Sequence, residues 1–219
     1  LDNLTYYRHV EGRPGELIND TGCGNTIAGE HPIVRQLVLD SLRHFVRHAG
    51  VDGFRFDLAT ILGREADGFS ARAALLSEIC ADPLLKDRVL IAEPWDIGPG
   101  GYQLGNFPEP FLEWNDRYRD DTRTFWRGDS HRLGAFVTAF AGSSDIFSRH
   151  GGERTRTVNF LAAHDGFTLM DLVSHTMKHN EANGEGNRDG HNENHSWNNG
   201  IEGETIDGVV LSARRADMK

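Results

Sequence analysis

Three observations predict an α/β protein of the TIM (β/α)8 barrel type. Strand-like and helical segments alternate along the chain, as in proteins whose parallel strands are joined by crossover helices. Three of the strand-like runs end on an acid, at Asp57, Glu93 and Asp165. The spacing adds the third: 36 residues separate Asp57 from Glu93 and 72 separate Glu93 from Asp165, whereas a TIM barrel spends about 250 residues on eight βα units, or roughly 31 each. The acids therefore fall one and two units apart.

The elements follow in order. Residues 1–30 are dense in Gly, Pro, Asn and Asp, with Thr21-Gly22-Cys23-Gly24-Asn25 among them, and read as a loop leading into the first helix. From His31 to His48 the apolar residues Ile33, Val34, Leu37, Val38, Leu42, Phe45 and Val46 recur at helical spacing. Pro32 stands at a first-turn position and Gly50 just beyond the end, where helices favour them. Val51 to Asp57 alternates in character and reads as a short strand delivering Asp57 to its tip. A helix is expected over Ser70 to Cys80. Val89-Leu90-Ile91-Ala92 is continuous and apolar, as in a parallel strand buried on both faces, and it runs into Glu93. A Gly/Pro-rich loop follows to Pro110, then a short strand over Phe111 to Asn115. Leu133, Phe136, Val137 and Phe140 mark a further helix. Val158 to Ala163 reads as the third acid-bearing strand, ending in His164-Asp165. The stretch 180–200, rich in Asn and Gly, reads as a loop that cannot support a core. All 219 residues are expected to form one catalytic barrel domain.

Composition narrows the function classes. Hydrophobic residues make up 38 % and charged residues 26 %, a globular balance. The net charge is −10 with basic residues scattered, so the footprint of a nucleic-acid partner is missing. No apolar run reaches the roughly 20 residues that span a bilayer. A cytosolic protein without nucleic-acid or membrane partners is expected. Cys23 and Cys80 are too few for a disulfide framework and read as free thiols.

Parallel strands point the same way, so acids at their C-terminal ends are expected to gather on one rim, where barrel enzymes place their sites. Hydrolysis of a glycosidic bond with retention needs one carboxylate as nucleophile and a carboxylic acid about 5–5.5 Å away. Arg55, two residues before Asp57, faces the same side of the strand and can hold Asp57 ionised. Glu93 has Trp95 nearby and no equally placed cation, which suits a proton donor.

At these residues the sequence resembles the α-amylase superfamily of glycoside hydrolases. Val51-Asp52-Gly53-Phe54-Arg55-Phe56-Asp57 is similar to its nucleophile region, Ala92-Glu93-Pro94-Trp95 to its acid/base region, and Ala163-His164-Asp165 to its third-carboxylate region. Residues 19–26, residues 100–108, Glu113-Trp114-Asn115-Asp116 and residues 164–169 resemble glycogen debranching enzymes and isoamylases. The resemblance implies hydrolysis of α-1,6 branch linkages in glycogen or limit dextrins. It implies Asp57 as nucleophile, Glu93 as acid/base and Asp165 as transition-state stabiliser, with Arg55 and His164 on the substrate and no cofactor. A starch isoamylase, an α-glucan transferase and an inactive glucan-binding fragment are the alternatives. The superfamily's earlier Asp and Asn-His signature has no match here. A partial barrel holding about strands 4–7 is therefore expected, as is little activity from this piece alone.

Other features read more plainly. Trp95, Tyr102 and Trp114 are either sugar-stacking platforms or core aromatics. His175, His179, His191 and His195 invite a metal reading, but His191-Asn192-Glu193-Asn194-His195 lacks the zinc-protease order and sits in the Asn/Gly loop, so no metal is expected. Gly98-Pro99-Gly100-Gly101 lacks the glycine spacing of a nucleotide loop.

Overall fold

The structure, a computed structural model, describes residues 2–148 and 154–219. It holds α1 (Asn3–Tyr6), β1 (His9–Val10), β2 (Arg13–Leu17), α2 (Pro32–His44), β3 (Gly53–Phe56), β4 (Arg64–Glu65), β5 (Gly68–Phe69) and α3 (Ala74–Ala81). The chain continues through β6 (Val89–Ala92), β7 (Phe111–Asn115), α4 (Asp116–Trp126), α5 (Leu133–Phe140), α6 (Ser144–Phe147), β8 (Thr157–Asn159), α7 (Leu169–Leu172) and α8 (Gly208–Asp217). It divides into two compact units, Leu1–Trp114 with Ile146–Val158, and Asn115–Asp145 with Asn159–Lys219.

The first unit carries a four-stranded sheet in the order β3-β6-β7-β8. β3 runs parallel to β6 and β6 parallel to β7, and the Glu113 amide donates to the Arg156 carbonyl at 2.8 Å beside β8. α3 lies between the parallel strands β3 and β6, and a loop alone joins β6 to β7; this is the α/β character that the alternation predicts, and it is consistent with part of a (β/α)8 barrel. The register Arg55↔Ile91 and Phe56↔Ala92 puts the ends of β3 and β6 side by side. Gly53 makes the strands' approach possible: a Cβ there would lie 2.4 Å from the Val89 carbonyl oxygen.

Beneath the sheet lies one apolar core, with Leu39, Leu42 and Val46 packed against Leu75, Leu76, Ile79, Leu90 and Phe111. α2 begins at His31, whose Nδ1 accepts from the Ile33 amide at 3.2 Å, and it widens into a π turn over Phe45–Ala49 before stopping at Gly50, φ 65°. Only part of its expected apolar face is covered. Val34, Leu42 and Val46 are buried, whereas Ile33, Leu37 and Phe45 stay about half exposed.

Three expectations change in detail. Residues 1–30 hold α1 and the antiparallel hairpin β1–β2 rather than loop alone; Gly12, φ 73°, supplies the tight turn between its strands. The strand expected over 158–163 covers only Thr157–Asn159. Past it, the Leu161 carbonyl is taken by the Arg123 guanidinium, with Nε at 2.9 Å, instead of by a neighbouring strand. Helices that no apolar period marks are added, α4 and α8 the longest among them. α4 is capped by buried Asn115, whose Oδ1 accepts from the Tyr118 amide at 2.9 Å. α8 is capped by Asp207 and anchored by buried Arg214, which donates to the Gly203 carbonyl at 2.7 Å. Cys23 and Cys80 are free thiols. Among the described residues no helix is long and apolar enough to cross a membrane.

Candidate active site

In the first unit, the ends of β3 and β6 are stitched together by backbone. The Glu93 amide donates to the Phe56 carbonyl at 3.1 Å, and the Ala59 amide donates to the Glu93 carbonyl at 2.9 Å. Between these bonds the chain turns through Leu58, φ 42° and ψ 51°, a left-handed conformation that costs a non-glycine residue about 1 kcal/mol or more. In return the Leu58 amide donates to Glu93 Oε2 at 2.7 Å. Asp57 and Glu93 thereby present carboxylate oxygens within 4.8 Å of one another.

Arg55 connects them. Its Nη1 bonds Asp57 Oδ1, and its Nη2 lies 3.0 Å from Glu93 Oε2. Its guanidinium sits over the Trp114 ring, 4.2 Å from the centroid, a position that holds a cation in place without consuming its donors. The expectation that Glu93 has no cation of its own is corrected. Arg55 reaches across to it because β3 and β6 are in parallel register, a neighbour relation invisible along a single strand. What separates the two acids is exposure: the Asp57 side chain is 72 % exposed and that of Glu93 4 %.

The aromatics divide. Trp114, half-buried, is the plate under Arg55. Trp95 is half-buried just past Glu93, and Tyr102 is exposed on the loop that follows. That loop is fixed from below by buried Arg64, whose Nε donates to Asp96 Oδ2 at 2.8 Å and lies 3.5 Å from Asp20 Oδ2. Gly98 passes so close that a Cβ would lie 2.3 Å from Asp20 Oδ1.

His164 and Asp165 belong to the second unit, where they line a cavity of about 400 Å³ together with Phe167, Lys178 and His191. His191 Nε2 lies 3.0 Å from Asp165 Oδ2, and the His191 amide donates to the Asp165 carbonyl at 3.1 Å. This hydrogen bond, against the effect of burial and with the charges of His191 and His164 assisting, holds the Asp165 carboxyl below the usual carboxylate range. The 180–200 stretch has only a short 3-10 turn over Glu181–Asn183, yet polar side chains fasten it. Buried Lys178 donates to the Asp189 carbonyl at 3.0 Å, and buried Asn194 accepts from the Phe167 amide at 3.1 Å. The loop reading holds for its backbone, and His191, though exposed, is bonded to Asp165. Sequence reasoning missed Leu58 altogether and missed the role of His191, which it weighed only as a metal ligand; each acts through a bond to a residue already singled out.

No family model matches the chain. Its fold is that of the pullulanases: a pullulanase from Anoxybacillus sp. LM18-11, solved in complex with maltotriose, superposes with a TM-score of 0.58 at 28 % identity, covering 76 % of this chain and 24 % of that one. Sequence relatives narrow the class. The chain is 55 % identical over 219 residues to a glycogen debranching enzyme of Pectobacterium carotovorum, all of this chain and 33 % of the relative. It is 50 % identical over 222 residues to the chloroplastic isoamylase 3 of Oryza sativa, all of this chain and 28 % of the relative. Over its whole length the chain is similar to these debranching-enzyme and isoamylase sequences, and it spans about a third of the length of these curated relatives.

Proposed function

We propose that the chain supplies the catalytic residues of a cytosolic, retaining glycoside hydrolase that cleaves α-1,6 branch linkages in glycogen or its limit dextrins. The observation that carries this reading is the pair Asp57 and Glu93, with oxygens within 4.8 Å and one shared arginine. That proximity suits double displacement, in which the two carboxyl groups stand about 5–5.5 Å apart. Exposed and paired with Arg55, Asp57 is the nucleophile that attacks the anomeric carbon. Glu93, with its side chain 4 % exposed and its Oε2 held by the Leu58 amide, is the acid/base. It gives its proton to the leaving oxygen and then takes one from the water that releases the glycosyl group. Asp165 is the third carboxylate, an anion that favours the oxocarbenium-like transition state over the neutral ground state. Arg55 and His164 serve the substrate, with Trp95 and Tyr102 as stacking surfaces and Trp114 acting through Arg55.

Product analysis tests the reading. The full-length polypeptide incubated with glycogen is expected to release free linear oligosaccharides. Chains lengthened at the expense of others would mean transfer to sugar, and no change in branching would remove the proposal.

The bond from His191 gives a pH prediction. His191→Ala removes the main influence that lowers the Asp165 carboxyl, so this group ionises at higher pH. If catalysis needs Asp165 charged, the acid limb of the kcat/KM profile moves to higher pH, while activity on the alkaline side changes little. An unmoved acid limb would mean that His191 only packs the loop.

A further inference from the structure

The second unit carries a cluster that glucan hydrolysis does not use. His175, His179 and Glu202 each turn one ligand-type atom toward a common point, all within 4.8 Å of one another. His175 Nδ1 faces Glu202 Oε1 at 3.6 Å, and His179 Nε2 lies 3.0 Å from the same oxygen. We propose that these three side chains form a site for a first-row divalent metal ion, with zinc the ion that their chemistry matches best.

Four observations support it. Two imidazoles and one carboxylate are a donor set of zinc type, and three protein ligands leave a fourth, tetrahedral position to water. His175 Nδ1 is buried and has no hydrogen-bond partner, a cost of about 1–3 kcal/mol for a neutral polar group that a metal bond would remove. The other face of the same ring points to a carboxylate, with Nε2 3.9 Å from Asp171 Oδ1. A carboxylate behind a ligating histidine is the usual outer partner of such a ligand.

Glu202 is held in the same manner. Its Oε2 accepts from the Thr176 amide at 2.9 Å, from Thr176 Oγ1 at 2.8 Å and from Asn198 Nδ2 at 3.0 Å. The Thr176 amide is shared with Oε1, at 3.0 Å, and Oε1 faces the two histidines. Zinc–ligand bonds of about 2.0–2.2 Å place tetrahedral ligand atoms roughly 3.3 Å apart, so the His–Glu pairs stand near the required spacing already. The ion would tie residues 175–179, on the wall of the Asp165 cavity, to residues 198–202. The sequence hid this site because Glu202 lies 23 residues beyond His179, outside the motif that the histidines suggested.

The test is a zinc titration of the EDTA-stripped, dialysed protein against a chromogenic chelator. One zinc per chain is expected to withstand the chelator. His175→Asn and Glu202→Gln are each expected to weaken it at least tenfold. The helical pair His44 and His48, with rings 4.6 Å apart, is the control: replacing both by Asn leaves the tight site unchanged. Cobalt(II) bound to the parent protein gives the visible absorption of a four-coordinate nitrogen and oxygen site, and His175→Asn loses it. Circular dichroism in EDTA verifies the fold of each variant. Should Glu202→Gln unfold, His175→Asn, at a half-buried ring, decides. Failure of the parent protein to hold zinc, retention of parental affinity by folded His175→Asn, or loss of zinc in the His44 and His48 control overturns the proposal; Glu202 and its neighbours would then be a hydrogen-bonded cluster only.

Discussion

Asp57→Asn in the full-length polypeptide is expected to lower kcat on branched glucan by about 10³-fold or more, the scale seen when a catalytic nucleophile is removed. Glu93→Gln should cost about 10²–10⁴-fold, the usual contribution of general acid–base catalysis. The two variants part company on an activated substrate. A glycosyl fluoride expels fluoride without protonation, so Glu93→Gln should still form the glycosyl-enzyme from it, and Asp57→Asn should not. Kinetics on both substrates check this. If Asp57→Asn turns over the fluoride like the parent protein while Glu93→Gln does not, the roles are exchanged; if either variant keeps most of its activity on branched glucan, the site is wrongly assigned.

The second large effect concerns stability. Glu113, at the centre of β7, is fully buried with its Oε1 2.7 Å from Arg156 Nη1, and its Oε2 accepts from the Gly105 amide at 2.6 Å. Breaking a buried pair from one side costs about 3–5 kcal/mol because the remaining charge is stranded. Arg156 also donates to the Phe107 and Phe111 carbonyls, which cushions the loss, so Glu113→Ala is expected to cost about 3 kcal/mol in urea unfolding. Burial pushes the Glu113 carboxyl up to about 7 despite Arg156, from an ordinary value of 4.5. The folded state therefore holds this proton more tightly than the unfolded chain. The resulting stabilisation is complete below about 4.5 and is lost as pH rises through about 7. Against Glu113→Gln, which cannot ionise, the parent protein should lose stability over that window. A constant difference between the two across the window would contradict the assignment.

Much of this architecture is legible in the sequence. The apolar run at 89–92 and the alternation at 51–57 give β6 and β3, because both lie on one core and their side chains obey the period that a buried sheet imposes. Asp57 and Glu93 are legible for the same reason: an acid directly after an apolar strand stands at that strand's end. α4 and α8 are less legible. Their buried contacts include arginines, Arg119 and Arg123 in one and Arg214 in the other, so no apolar stripe betrays them. The bonds that organise the sites escape a linear reading altogether. Arg55 reaches Glu93 across parallel register, Leu58 offers its amide only because its backbone is left-handed, and His191 meets Asp165 from a loop whose composition suggests nothing but solvent. In each case the partner lies 26–38 residues away or is chosen by a backbone angle that side-chain identity does not encode.

The most direct measurement is peptide mapping by mass spectrometry after reaction of the full-length polypeptide with a 2-fluoro glycosyl fluoride, which forms the covalent intermediate quickly and releases it slowly. A glycosyl mass on the peptide containing Asp57 is the predicted result. A label on any other acid, or no adduct with β-anomer released from the natural substrate, would contradict double displacement through Asp57.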